Sequence, residues 1–317
     1  MSVATGIGKK TIWLINGIID IAVLIIILLF VITGCYAVWD SKQVYKAADA
    51  ARYEIYKPTA QNESKSFLEL QAINPEVFGW ITIYGTHIDY PVVQSPNLMK
   101  YVNTNAEGQY SLSGAIFLDS NSSMDFSDFN SIIYGHHMEK QTMFGEIGNF
   151  SDNDYFDVRK YGTLYYDGQE HGLEFFAFVH ADAYDSTIFR TKISGQENQK
   201  DYLNMLIERA AHTREIQITA NDRIVLLSTC SSNSTNGRDI LVGKITDEIQ
   251  DDPFIIKESD KKNNILTAVD KIPKLWVQTP LWIRITALIM LTGFLLLILI
   301  LVINNKKRNK INTRRRR

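Results

Sequence analysis

The stretch Leu226-Leu227-Ser228-Thr229-Cys230-Ser231-Ser232-Asn233-Ser234-Thr235-Asn236-Gly237-Arg238-Asp239-Ile240-Leu241-Val242-Gly243 decides how the rest of the chain is read. Apolar runs at Ile224 to Leu227 and Ile240 to Ile245 flank a polar loop containing Asn and Gly, the pattern of two strands joined by a turn. Cys230 ends the first run and Arg238 begins the second, so a hairpin-like return brings a thiol beside a guanidinium. Cys230 is one of only two cysteines in 317 residues.

Working upstream, the same strand pattern repeats. Gly79 to Ile83, a Gly85-Thr86 turn and Ile88 to Val93 read as a hairpin, and Ala115 to Leu118, Ser131 to Tyr134, Thr163 to Tyr166 and Leu173 to Val179 are further strands. Regular strands separated by Gly, Asn and Asp point to a closed barrel or a sandwich. Gln196 to Ile216 departs from this character. Leu203, Leu206, Ile207 and Ala210 recur on one face, which predicts an amphipathic helix inserted before the cysteine strand. N-terminal to the strands, Asp40 to Tyr56 and Ser64 to Ala72 have helical spacing, with Pro58 between them.

The ends of the chain set its compartment. Thr11 to Val38 and Ile285 to Ile303 are nearly continuous apolar runs, each close to the ~20 residues a helix needs to cross a bilayer. Trp13, Tyr36, Trp39, Trp276 and Trp282 lie near their ends, where amphipathic rings settle. Lys9 and Lys10 precede the first run, and Lys306, Lys307, Arg308, Lys310 and Arg314 to Arg317 follow the second. Basic flanks stay inside, so a two-pass plasma-membrane protein with both termini cytoplasmic and its middle extracellular is expected. The organisation is then a cytoplasmic N-terminus (1–10), a span (11–38), an external helical segment (39–72), a strand-rich domain (73–250), a tether (251–277), a second span (280–303) and a basic tail (304–317). Ile32-Thr33-Gly34-Cys35 resembles a lipobox, but the run around it is too long for a cleaved leader and favours an uncleaved anchor.

Charge excludes one class of partner. Eleven of the 33 basic residues and one of the 35 acidic residues lie outside Asp40 to Val277, which leaves that region a formal charge of −12. Nucleic-acid binding needs the opposite sign.

Cys230 is left without a disulfide partner, because Cys35 lies in the first apolar run. The residues alone leave two readings open: a small buried hydrophobe, or a reactive thiol. A working nucleophile needs a group that favours its thiolate and a donor for the oxyanion. His136 and His137 follow the apolar Ile132-Ile133-Tyr134-Gly135 and so emerge from a strand end, and Arg238 is placed for the oxyanion. A zinc site needs paired ligands such as C-x₂-C or H-x₃-H. One external cysteine and an adjacent histidine pair do not supply them, so no metal and no cofactor are expected.

Leu227-Ser228-Thr229-Cys230 with Arg238 beyond it, and Tyr134-Gly135-His136-His137-Met138 upstream, resemble sortases of class B. So do Ile73-Asn74-Pro75-Glu76-Val77-Phe78-Gly79-Trp80-Ile81, Ile88-Asp89-Tyr90-Pro91-Val92-Val93 and Met143-Phe144-Gly145. The second apolar run adds a C-terminal anchor of the kind familiar from pilus-building class C enzymes. The resemblance implies a mainly β fold: an eight-stranded closed β-barrel with N-terminal helices and one inserted helix, flanked here by two transmembrane helices. It implies a cysteine transpeptidase that cuts a sorting signal after threonine. Cys230 would attack the threonine carbonyl, His136 would carry protons, and Arg238 would hold the oxyanion and orient the peptide. Tyr134, Ser228, Thr229, Leu98, Val102, Tyr184 and Ile188 would bind substrate. The partners implied are surface proteins or pilins bearing a sorting signal, with a peptidoglycan-precursor or pilin amine as acceptor. The chain departs from the pattern at Ser231, where class B members often carry an acid, and at Leu98, a groove position often held by Asn. Two other readings stand beside this one: a surface cysteine peptidase that releases acyl groups to water, and a non-catalytic binding module in which Cys230 packs.

Overall fold

The computed structural model describes residues 4–58, 65–231 and 235–255. The second expected span, the basic tail and most of the tether lie outside these residues. The first span runs on without a break into the start of the external helical segment as one helix, α1 (Ala4–Ala48). Its Ile15–Ala48 portion is long and apolar enough to cross a membrane. Asp49 ends it: an extended backbone there (φ −70°, ψ 124°) breaks the helix, and the Asp49 carboxylate accepts the Ala51 N–H at 3.1 Å. Two 3-10 turns, Ala50–Arg52 and Glu54–Tyr56, lead toward α2 (Lys65–Ile73).

Nine strands follow: β1 (Val77–Ile83), β2 (Asp89–Val93), β3 (Ile116–Leu118), β4 (Asn130–Tyr134), β5 (Tyr161–Tyr166), β6 (Gln169–Asp182), β7 (Ala210–Thr213), β8 (Arg223–Cys230) and β9 (Gly237–Thr246). A short helix α3 (Asn153–Val158) precedes β5, and α4 (Gln196–Arg209) precedes β7. The sheet runs β5-β1-β2-β3-β4-β8-β9-β6, and pairing of β5 with β6 closes it into an eight-stranded barrel. The long β6 permits this. Its first half pairs with β5 and its second half with β7, while β9 runs along the other edge. The β5–β6 turn is Asp167-Gly168, both at positive φ (50° and 75°), the backbone twist that two-residue hairpins favour.

The inserted helix is shorter than its sequence suggests. It ends at Arg209, and Ala210–Thr213 instead pairs with Ala177–Val179 of β6. Beyond the reach of β5 that stretch of β6 needs partners for its backbone groups, and a four-residue strand supplies them.

Alternation sorts the barrel walls into two cores. Ile133, Val225, Leu227, Leu241 and Phe178 point inward and join the interior cluster. Ile132, Ile224, Leu226, Ile240 and Val242 point outward and are covered by Tyr202, Leu203 and Leu206 of α4. Burying a leucine contributes about 1.5–3 kcal/mol, so α4 is fixed chiefly by this apolar face. Covered on both sides, β8 is buried from Ile224 through Thr229 and becomes exposed only at Cys230.

Candidate active site

Strand register assembles the site. In the β8–β9 ladder Cys230 lies opposite Arg238. The next pair, Ser231 and Gly237, is hydrogen-bonded (Ser231 N–H to Gly237 O, 2.8 Å). Cys230 and Arg238 therefore form a non-hydrogen-bonded pair, the kind in which side chains stand closest, with Cα atoms about 4.5 Å apart. The parity of β8 sends Cys230 outward with Ile224, Leu226 and Ser228, away from the barrel interior.

The histidine comes from the other neighbour. β4 runs parallel to β8 with Tyr134 abreast of Ser228, and the Gly135 N–H continues the ladder to Ser228 O at 3.1 Å. His136, two residues beyond Tyr134, lines the same groove as Cys230. The loop then turns back: the Phe144 N–H donates to His136 O (3.0 Å), and His137 bridges Met143. Lys140, Gln141 and Met143 all have positive φ in this turn, a concentration of strained backbone typical of functional sites. Tyr90 pins it, its hydroxyl accepting the Met143 N–H (2.9 Å) and donating to Ala48 O (2.8 Å) at the end of α1.

A groove of about 350 Å³ surrounds the three groups, lined also by Leu98, Val102, Tyr134, Ser228 and Thr229. Gly135 also lines it, and Met99, Phe117, Ala183 and Phe189, four residues that sequence reasoning did not identify, complete the wall. Two expectations need correction. Ile188 is 1% exposed and packs in the cluster beneath α4, so no peptide in the groove reaches it. Tyr184 is 82% exposed and is not among the lining residues. Their neighbours Phe189 and Ala183 take those places. Phe189 stacks on Tyr134, with ring centroids 6.4 Å apart.

The polar environment is specific. The Tyr134 hydroxyl donates to Asp119 Oδ2 (3.1 Å), and burial pushes the Tyr134 phenol up, with the Asp119 charge adding to the effect. His136 Nε2 lies 2.8 Å from the Val102 carbonyl oxygen. Arg238 Nη1 donates to Gly237 O (3.0 Å); among the described residues Arg238 has no ion pair, which leaves most of its fork directed elsewhere. The nearest acid in sequence, Asp239, faces the opposite side of the strand and bonds His180 Nδ1 at 2.8 Å. Among the described residues Ser228 Oγ is buried without a hydrogen-bond partner, a state that costs about 1–3 kcal/mol and is relieved by any ligand that bonds it. Among the described residues no group of three or more His, Cys, Asp or Glu side chains gathers as a metal site. The arrangement suits covalent acyl chemistry: a reachable thiol, an imidazole and a fixed guanidinium along one apolar cleft.

Comparison with known proteins agrees with this geometry. A family model described as the sortase domain matches residues 81–246. The chain is 30% identical to sortase B of Listeria monocytogenes over 210 residues, 65% of this chain and 82% of that protein. It is similar to the crystal structure of a sortase B from the Type II pilus of Streptococcus pneumoniae (47% identity, TM-score 0.51, covering 57% of this chain and 98% of that one). A class B sortase of Streptococcus pyogenes involved in pilus biogenesis is similar at 39% identity and a TM-score of 0.53, covering 58% of this chain and all of that one. The chain belongs to the sortase family of cysteine transpeptidases, and within it to class B.

Proposed function

We propose that this chain cleaves a sorting signal after threonine, holds the freed protein as a thioester on Cys230, and passes it to an amine. Cys230 Sγ attacks the threonine carbonyl. Arg238 donates to the oxyanion, and His136 gives a proton to the departing nitrogen. The incoming amine then attacks the thioester and returns a proton to His136, so the enzyme emerges unchanged. Splitting amide exchange into two acyl transfers lowers each barrier.

The observation that carries this reading is the convergence of three groups: Cys230 lies opposite Arg238 where β8 emerges into an open groove, and His136, just past the end of the neighbouring β4, lines that same groove. The apolar lining of Leu98, Val102, Phe117 and Phe189 suits an extended peptide, and the unpaired Ser228 hydroxyl supplies a polar anchor within it.

The acceptor is an amine of the cell wall or of a pilin. Likeness to two streptococcal enzymes named for pilus work supports the pilin arm. The α1 helix supports attachment to the membrane with the barrel outside, and the basic flanks support a two-pass arrangement with both ends inside. Incubation of the 317-residue chain in detergent with a threonine-containing donor peptide, with and without a peptidoglycan-type amine or a lysine peptide, tests the proposal. Amine-dependent ligation supports it. Hydrolysis at one rate, whatever the amine, would mean a peptidase instead.

A further inference from the structure

We propose that the main-chain carbonyl of Val102 holds the His136 imidazole for proton transfer, and that Gly114 sets that carbonyl in place. This rests on the assignment of Cys230 and His136 above and extends it to residues outside the reacting trio.

The contact is His136 Nε2 to Val102 O at 2.8 Å. A carbonyl oxygen only accepts, so Nε2 carries the hydrogen. Which ring nitrogen is protonated follows from the bond the other one makes or lacks, and here Nδ1 is left as the exchanging atom. Among the described residues no carboxylate bonds His136. Asp239 is engaged by His180 on the other face of the strand, and Asp119 by Tyr134. The backbone oxygen occupies the place that an orienting acid fills in other nucleophile–histidine pairs.

The carbonyl is held from behind. Val102 ends a 3-10 turn, Lys100–Val102. The Ala115 N–H donates to Tyr101 O (3.0 Å), the Ser111 N–H to Asn103 O (3.0 Å) and the Gly114 N–H to Ser111 O (3.0 Å). The ring of Tyr101 is anchored through its hydroxyl to Glu76 (2.5 Å) and Asn74 (2.9 Å). Gly114 closes the loop at φ +60°, and a Cβ placed there would stand 2.5 Å from Tyr101 O and 2.7 Å from Val102 O. Both obstacles are backbone and have no rotamer to escape into. Any side chain at 114 therefore moves the peptide that His136 leans on, besides straining a backbone conformation that glycine adopts freely.

The proton accounting is complete. As the Cys230 thiolate forms the C–S bond and the C–N bond of the donor breaks, the imidazolium gives its Nδ1 proton to the departing nitrogen. What remains is the neutral Nε2–H tautomer that the Val102 carbonyl requires. Attack by the acceptor amine returns a proton to Nδ1 and breaks the C–S bond.

The test exploits leaving-group chemistry. A peptide library with threonine fixed at the cleaved bond, screened on the parent chain, supplies a matched donor pair. In one member the threonine carbonyl is joined to the next residue as an amide, in the other as an ester, whose alkoxide needs less help from an acid. Gly114→Ala is expected to lower kcat on the amide by about tenfold or more, within the range of general-acid effects, with KM nearly unchanged and the ester turned over almost normally. Should Gly114→Ala fold poorly, an ester link between residues 102 and 103 weakens the same acceptor without adding bulk, and is expected to act in the same direction. Nitrogen-15 spectra of the histidine-labelled chain should show Nε2 of His136 protonated. Equal losses on both donors, no loss on the amide, or a His136 ring protonated only at Nδ1 would overturn the proposal. If Cys230→Ala or His136→Ala retains turnover in the same assay, the site assignment fails instead.

Discussion

Replacing Arg238 by lysine keeps the charge and removes the fork. Arg238 faces Cys230 across a non-hydrogen-bonded pair and uses Nη1 on Gly237 O (3.0 Å). The guanidinium has five donors in a fixed plane, so one anchoring bond still leaves others for an oxyanion forming at Cys230. An ammonium offers a point charge on a flexible stem, without that anchored geometry. Losing one preorganised oxyanion donor costs about 2.7–4 kcal/mol, or roughly 10²–10³ in kcat. Stability should hardly move. Among the described residues Arg238 has no ion pair and its one side-chain hydrogen bond is to the adjacent residue, and such substitutions stay within about 0.5 kcal/mol, roughly 1–2 °C in Tm for a domain of this size. The assay is steady-state turnover of a donor peptide by Arg238→Lys in detergent, with a melting curve on the same sample. Parent-like turnover would refute the oxyanion role. A Tm lower by many degrees would show that the arginine braces the hairpin instead.

Other expectations follow from the same geometry. His136→Ala should abolish turnover while His137→Ala should not, because His136 lines the groove with Cys230 and His137 does not; the reverse outcome would exchange their roles. Ile188→Ala should destabilise the fold by about 2–5 kcal/mol, as for a fully buried aliphatic side chain, in denaturant titrations, whereas Tyr184→Ala should leave the midpoint unchanged. Glu76 remains ionised below its ordinary 4.5: burial opposes this, but bonds from Lys100 and Tyr101 outweigh it. A depressed carboxyl contributes stability that is full above the unfolded value and lost as pH falls through the folded one. Hydrogen exchange across residues 100–115 should therefore accelerate on acidification below about pH 4.5 in the parent, and much less so in Glu76→Gln.

Much of the barrel was legible because its strands are written locally. The β1–β2 hairpin and the Cys230–Arg238 return both consist of apolar runs around short polar turns. The helix before the cysteine strand showed in the spacing of Leu203 and Leu206. Its end did not, since Ala210–Thr213 becomes a strand only by pairing with β6, a tertiary demand that local propensity does not carry. The adjacency of β4 and β8 is likewise a parallel pairing across about ninety positions, and it brings the strand end before the two histidines alongside the strand that carries the thiol. The groove wall went astray by single residues. Tyr184 and Ile188 were expected where Ala183 and Phe189 stand, because in an irregular segment a shift of one position exchanges the buried face for the open one. The Val102 carbonyl left no trace at all, since a backbone oxygen has no letter in the sequence.

The most direct measurement is intact-mass and peptide mapping of the 317-residue chain quenched during turnover of a donor peptide. An acyl adduct confined to Cys230, labile to hydroxylamine and discharged by added amine, is the predicted result. A donor consumed at the parent rate by Cys230→Ala, or an adduct on any other side chain, would contradict it.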